Sequence, residues 1–504
     1  MLGATLEVLD TSIVNVSLPH MQGSFSASRD EITWVLTSYI VANGIMIPLT
    51  GWISARFGRK RYFMWSVVVF VITSGLCGAA TTLTQMVIFR LLQGASGAAM
   101  IPSSQAIMME TFPPEEQGMA MSVWGMGLLT SPMLGPTLGG WITYTWSWRW
   151  NFYINVPIGA IAFVMVSAFV HDPAYLRARS KGGRVDYLGI LYLVLWLGLL
   201  QIVVDRGQRA DWFASSWVVY SVIIAAVLFT WFVAHELWFE EPILDLRILK
   251  IPIFSFSVSL MVAMSFALYG TGLLNPIFLQ EFLGYTAWKA GLVLAPRGLG
   301  TMVSMLLVGQ LARARYDTKP LIGIGFVFMT AGLWQMSRWD LQVSTWVVVW
   351  PSIVMGIGMG MIFPTLSAIT LSCVQRERMG YAASLYNMMR NAGAAIGISY
   401  MTTALVNHEQ VHQSYLAEHF SVFDAWRMSA AGAGVPGAHT FHYLPQLITG
   451  QKQGIGGVYA MIQAQAAMLS FNDIYRILAL MMVVLIPSFF VLRRAQAGSA
   501  AAAH

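Results

Sequence analysis

Charged residues make up only 10% of this 504-residue sequence, against roughly a quarter of an average soluble domain. That shortage excludes a soluble fold, which needs polar side chains to cover its surface. Cysteine is nearly absent too. Cys77 and Cys373 lie far apart, in or beside apolar segments, so a disulfide framework and a cysteine-based zinc site are excluded and packing is the role left to them. No Walker-type phosphate loop and no GxSxG turn is found, and no zinc-binding helix of the HExxH kind is expected. Energy from ATP within the chain is unsupported, and no catalytic residue, metal or cofactor is expected. The net charge of +6 does not point to nucleic acid, because the basic residues form short clusters between apolar runs.

What the sequence has in abundance is apolar length: 57% of residues are hydrophobic. Stretches of about 20 apolar residues, enough to cross a hydrocarbon core of roughly 30 Å, recur from end to end. They predict spans over 1–19, 33–54, 62–82, 86–108, 118–142, 152–171, 186–204, 216–235, 254–279, 290–312, 320–336, 345–370, 382–405 and 474–492. The expected class is therefore an all-α integral membrane protein of fourteen transmembrane helices, not an enzyme. Met1 to Leu18 lacks a basic start and carries Glu7 and Asp10, so it reads as a retained span rather than a signal peptide.

Threading from a cytoplasmic N-terminus gathers Arg56, Arg59, Lys60, Arg61, Arg177, Arg179, Lys181, Arg184, Arg247, Lys250, Arg313, Arg315, Lys319, Arg376, Arg378, Arg493 and Arg494 on the cytoplasmic side, as the positive-inside rule requires. Both termini are then cytoplasmic. Trp146, Trp148, Trp150, Trp339 and Trp346 fall near span ends on the opposite face, the pattern of an aromatic belt. GWISARFGRKR at Gly51–Arg61 and GQLARARYDTK at Gly309–Lys319 each follow an apolar helix with a glycine and a basic run. This self-similarity predicts two six-helix halves, 1–171 and 251–504, with two helices inserted over 172–250. A long polar loop is expected over 407–472, on the periplasmic side, with enough length to hold a helical hairpin that touches a partner.

Glu7 and Asp10 stand three apart on one face of the first helix. An ionised carboxylate facing lipid costs on the order of 3 kcal/mol, so each should face a cavity, either as a proton site or as the partner of a buried arginine. Arg90, in RLLQGASGAAMIP with Gln93 three residues on, cannot shed its charge and, if buried, needs a carboxylate or backbone carbonyls as partner. An Arg90 that holds an ionised carboxylate and loosens when it is protonated would couple proton binding to conformation; a fixed structural pair is the other reading. Arg297, Arg390 and Asn387 are further polar intrusions whose roles are helix packing or substrate contact, with Asn15, Tyr39, Asn43 and Gln93 as additional candidates for substrate or coupling contacts. GMGLLTSPMLGPTLGGW in the fifth helix offers small residues for close helix approach and prolines that bend. The 31 methionines suit an adaptable apolar pocket, although most are expected to pack or face lipid. His408 and His412 stand four apart, with His419 beyond, but no carboxylate or cysteine completes them at ligand spacing.

These segments together resemble, over essentially the whole chain, the major facilitator superfamily and its fourteen-spanner drug:proton antiporter group of the EmrB and QacA type. LDTSIVNVSLP resembles the group's first helix, TWVLTSYIVANGIMIPLTGW its second, RLLQG its fourth and WRWNFYINVPIG the start of its sixth. Pro132, Gly135, Pro136, Gly139 and Gly140 match its antiporter motif. The resemblance implies the major facilitator fold and alternating access. It also implies export of amphipathic compounds from the inner membrane against protons through Glu7, Asp10 and Arg90, with a periplasmic adaptor and an outer-membrane channel as partners. Uptake by the same fold, or a membrane sensor, is the alternative. Gly51, Arg56, Gly58, Arg59, Lys60 and Arg61 correspond to the family's cytoplasmic gate motif, except that Ala55 stands where an acid is usual; Glu110 is expected to pair with Arg59 or Arg56 instead. Only nine residues precede Asp10, so a short first helix or an upstream start is expected.

Overall fold

A computed structural model describes residues 1–173, 185–239, 242–419 and 452–488, and among them every element is helical. In a bilayer each backbone N–H and C=O must be paired within its own segment, which drives long apolar runs into helices. In chain order the long helices are α1 Leu2–Phe25, α2 Trp34–Phe57, α3 Arg59–Ala79, α4 Leu83–Gly97, α5 Met100–Thr111, α6 Pro114–Thr145 and α7 Asn155–Phe169. They continue with α8 Tyr187–Arg206, α9 Ser216–Trp238, α10 Pro252–Ile277, α11 Ala287–Arg313, α12 Pro320–Met336, α13 Thr345–Ser372, α14 Met379–His419 and α15 Lys452–Leu485.

The first helix is not short: α1 has 24 residues. It stops at Ser26, whose left-handed φ of 51° lets its N–H reach the Gly23 carbonyl. A capping box then starts the turn into α2: Ser28 N–H donates to Glu31 Oε2 at 2.8 Å and Glu31 N–H to Ser28 Oγ at 3.2 Å. The bonds from the Ser28 backbone and hydroxyl hold the Glu31 carboxyl below its ordinary range.

Among the described residues nine helices are long and apolar enough to cross a membrane, so the fourteen expected spans are not reached on that measure. The other five expected segments are helical but fall short for physical reasons. α1 carries two acids, the fourth segment is broken into α4 and α5, α12 has only 17 residues, α6 is diluted by Gly, Pro, Ser and Thr, and α14 carries a polar length. The expected loop over 407–472 is also corrected, because α14 runs on to His419 and α15 already begins at Lys452. Residues 420–451 of that stretch, Arg177, Arg179, Lys181, Arg184, Arg493 and Arg494 lie outside the described residues. Two of the five belt tryptophans are interior: Trp148 packs edge-on to Phe25 and Phe152, and Trp339 stacks on Phe278 at 4.9 Å.

Two packed groups of helices can be followed. In one, α1 lies on α6, α2 on α4, and α3 on α4 and α7; in the other, α11 and α12 lie on α13, α10 on α14, and α14 and α12 on α15. α8 and α9 pack on each other, with α8 also touching α2 and α14. The groups meet where α6 crosses α11 and where α2 crosses α14. The glycines of the two similar segments both sit at these crossings. A Cβ on Gly51 would lie 2.8 Å from Tyr381 Cα and 2.9 Å from the Gly380 carbonyl, and one on Gly309 would strike Met119 and Ser122 of α6.

Candidate functional site

α1 threads between α6 and the α2–α4 pair, and that placement buries both of its acids. Gly135 and Gly139 of α6 make the approach possible, since a Cβ at either would collide with Ser12 or Ile13 of α1. Ser12 Oγ donates to the Pro132 carbonyl at 2.9 Å. Gly140 faces only Val16 at 3.8 Å, and the side chain of Pro136 lies outside the described part. The glycine motif thus does pack tightly against a neighbour, and the neighbour is the helix bearing Glu7 and Asp10.

Asp10 and Arg90 are fully buried and 2.7 Å apart. Asp10 Oδ2 takes the Arg90 bond, while Oδ1 accepts from Gln93 Nε2 at 3.0 Å and Asn155 Nδ2 at 2.5 Å. Arg90 also donates to the Val35 carbonyl at 3.1 Å and to Gln93 Oε1 at 2.8 Å, and lies 4.1 Å over the Tyr39 ring. Asn155 is itself bonded to Ser74 Oγ at 3.0 Å. Five helices, α1, α2, α3, α4 and α7, therefore converge on one ion pair with both carboxylate oxygens satisfied.

Glu7, one turn away, is buried differently. Oε1 accepts from Asn43 Nδ2 at 2.8 Å, and Asn43 reaches on to the Gly94 carbonyl at 3.4 Å. Oε2 is buried without a hydrogen-bond partner. The backbone N–H of Ile101 also faces the carboxyl group, but with fewer donors in bonding geometry than Asp10 the ionised Glu7 is the costlier of the two acids to bury. Asn43 can reach because Gly94 lets α4 lie against the Tyr39 backbone, where a Cβ would collide. Asn15 does not join this cluster and is exposed on α1.

Across the crossing from α1, Arg390 of α14 is 4% exposed, and its Nε and Nη1 have no partner. Arg297 of α11 is buried with only the weak acceptor Met359 Sδ at 3.2 Å. Among the described residues neither arginine makes a salt bridge. Asn387 donates to Gln105 Oε1 of α5 at 2.7 Å, a bond between the two helix groups.

At the Gly51 end, Arg59 Nη1 pairs with Glu110 Oε2 at 2.6 Å, both side chains nearly buried. The partner expected in place of an acid at position 55 is therefore present, and Ala55 is buried. Gly58 adopts φ +88°, a region that suits glycine, and a Cβ there would also meet Asp172 Oδ2 at 2.9 Å. Asp172 accepts from Lys60 N–H at 2.8 Å, and Lys60 Nζ donates to the Ser167 carbonyl at 2.7 Å. Arg56 lies 5.7 Å over Trp52, and Arg61 is exposed.

Sequence reasoning missed four polar participants: Asn155, Gln105, Asp172 and Asn151, the last donating to Ser17 Oγ and, at 2.7 Å, to Thr143. Two sit in WRWNFYINVPIG, where polar residues inside an apolar helix start were the available signal. It also found no HExxH pattern, which is wrong: His408 to His412 reads HEQVH, and Asp473 of α15 meets both imidazoles. Spacing along the chain could not supply that carboxylate, because it arrives from another helix.

The Major Facilitator Superfamily profile matches residues 1–398. The chain is 33% identical to multidrug export protein EmrB of Escherichia coli strain K12 over 96% of this chain and 92% of that one. It is 34% identical to fatty acid resistance protein FarB of Neisseria gonorrhoeae over 96% and 93%. Among solved structures, the human organic anion transporter MFSD10 superposes with a TM-score of 0.60 at 12% identity, covering 95% of this chain and 97% of that one. The proton:xylose symporter XylE gives 0.58 at 15%, covering 96% and 94%.

Proposed function

The chain belongs to the major facilitator superfamily, and from that premise we infer that it is a multi-pass membrane transporter that exports drug-like hydrophobic and amphipathic molecules. Proton coupling is the general property of such exporters, and the EmrB likeness over nearly the whole length carries the reading. Our proposal for the chemistry is that Glu7 exchanges the proton while the Asp10–Arg90 pair holds the surrounding helices in register. The observation behind it is the contrast between Asp10, with both oxygens bonded to side-chain donors, and a buried Glu7 whose one side-chain donor is Asn43.

The halves 1–171 and 251–504, with 172–250 inserted, rock about the α6–α11 and α2–α14 crossings in this proposal. The Arg59–Glu110 pair and the Gly51 contact then close the cytoplasmic end, with both termini on that side of the inner membrane. The polar ends of α14 and α15 are where a periplasmic adaptor, leading to an outer-membrane channel, would dock. Arg297 and Arg390, buried with spare donors, favour substrates that carry a negative group beside an apolar body.

The test is substrate-induced proton release from purified protein in proteoliposomes, across hydrophobic cations and weak acids. Coupled release is expected, strongest for weak acids and weakened at least about tenfold in Arg390→Gln, the factor equivalent to one lost interaction of about 1.4 kcal/mol. No proton movement with any compound would sink the reading. A second expectation concerns the gate. Overpacking at Gly51→Ala costs about 1–3 kcal/mol, so the closed contact should be disfavoured roughly five- to 150-fold and export should fall alike. Gly75→Ala, which meets nothing within 4 Å, should export normally; equal export by both variants removes the gating role.

A further inference from the structure

His408 and His412 project from one face of α14, and Asp473 projects toward them from α15. Asp473 Oδ2 lies 2.7 Å from His412 Nε2 and 3.4 Å from His408 Nδ1, and the three donor atoms lie within 4.8 Å of one another. Tetrahedral zinc with bonds of about 2.0–2.1 Å separates its ligands by roughly 3.3 Å, so small side-chain rotations would bring all three to bonding distance. We propose that these residues form a binding site for one zinc-class divalent ion, which fastens α14 to α15.

Two imidazoles and one carboxylate suit a borderline metal such as Zn²⁺ rather than the hard cations Mg²⁺ or Ca²⁺, which prefer all-oxygen shells. The side chains are 36%, 24% and 28% exposed for His408, His412 and Asp473, so an ion from solution can reach them and a water can complete the fourth position. Arg476 Nη1 lies 3.3 Å from Asp473 Oδ1, the oxygen that the histidines leave free. It orients the carboxylate as an outer-shell partner does. Glu409, the acid within HEQVH, is outside the ligand cluster and stands near Glu281 instead. The site therefore binds and fastens, and zinc-dependent hydrolysis is no part of it.

The experiment titrates Zn²⁺ into the full-length protein in detergent, without a polyhistidine tag, reading stoichiometry by calorimetry and stability by thermal unfolding. One saturable ion per chain is expected, with a higher Tm that a chelator reverses. His412→Gln and Asp473→Asn should each weaken binding at least about tenfold, the loss that an outer-shell partner alone can cause, while His20→Ala on α1 binds as the parent does. Tetrahedral Co²⁺ absorption in the parent protein gives a readout independent of any variant. The absence of saturable binding by the unmodified protein overturns the site, and so does binding that survives replacement of both histidines.

Discussion

Arg90→Gln is expected to lose export by at least about a hundredfold and to lower stability by about 3–5 kcal/mol, the range found when one partner of a buried ion pair is removed. Arg90 is fully buried and touches Asp10, Gln93, the Val35 carbonyl and the Tyr39 ring. Glutamine is shorter and uncharged, so Asp10 is left as a buried carboxylate held only by the amides of Gln93 and Asn155. Arg90→Lys keeps the charge but not the planar fork that bonds a carboxylate, an amide and a carbonyl at once, and should fall between the two. Asp10→Asn leaves a buried guanidinium with two remaining oxygen acceptors and an aromatic face, and should destabilise less than Arg90→Gln. Thermal unfolding in detergent and export from proteoliposomes check both quantities. An Arg90→Gln protein that melts with the parent shows that the pair does not hold these helices together.

The helical, membrane-spanning character of the chain was legible from apolar run lengths, because the bilayer leaves the backbone few alternatives. Arg90 and the α1 acids were legible for the same reason: ionisable groups inside apolar runs must meet partners. Which acid meets which partner was not, since the answer depends on helix rotation. Asp10 turns toward α4 and α7, while Glu7 turns toward Asn43 of α2. Asn43, Gln93 and Asn387 were picked out as amides inside apolar runs, but Asn155 and Gln105 went unremarked although each joins separate helices. Helix ends misled in two places. The polar sequence after Asn407 suggested a loop, yet α14 continues through it to His419, because composition at a membrane boundary reports the solvent and not the backbone. Trp148 and Trp339 looked like belt residues on position alone, but their indole nitrogens donate inward, to Ser24 Oγ at 2.9 Å and the Val347 carbonyl at 3.1 Å.

Glu7→Gln should separate transport from its energy source. Glutamine is the same size and can still accept from Asn43 through its amide oxygen, so the fold and substrate affinity should change little. What it loses is the ability to take up and release a proton beside Arg390, whose unpaired donors and charge face the same region. A coupling between two sites is typically worth about 1–3 kcal/mol; its loss should cut proton-driven export by up to roughly a hundredfold while leaving binding within about threefold. Substrate-induced proton release should disappear altogether. Asp10→Asn is the informative comparison, because its expected defect comes with a lower melting temperature, whereas that of Glu7→Gln does not. Should Glu7→Gln still release protons on adding substrate, and a stably folded Asp10→Asn not, the proton belongs to Asp10. The ion pair would then be the moving part, opening when Asp10 is protonated and freeing Arg90 to its carbonyl, amide and ring contacts.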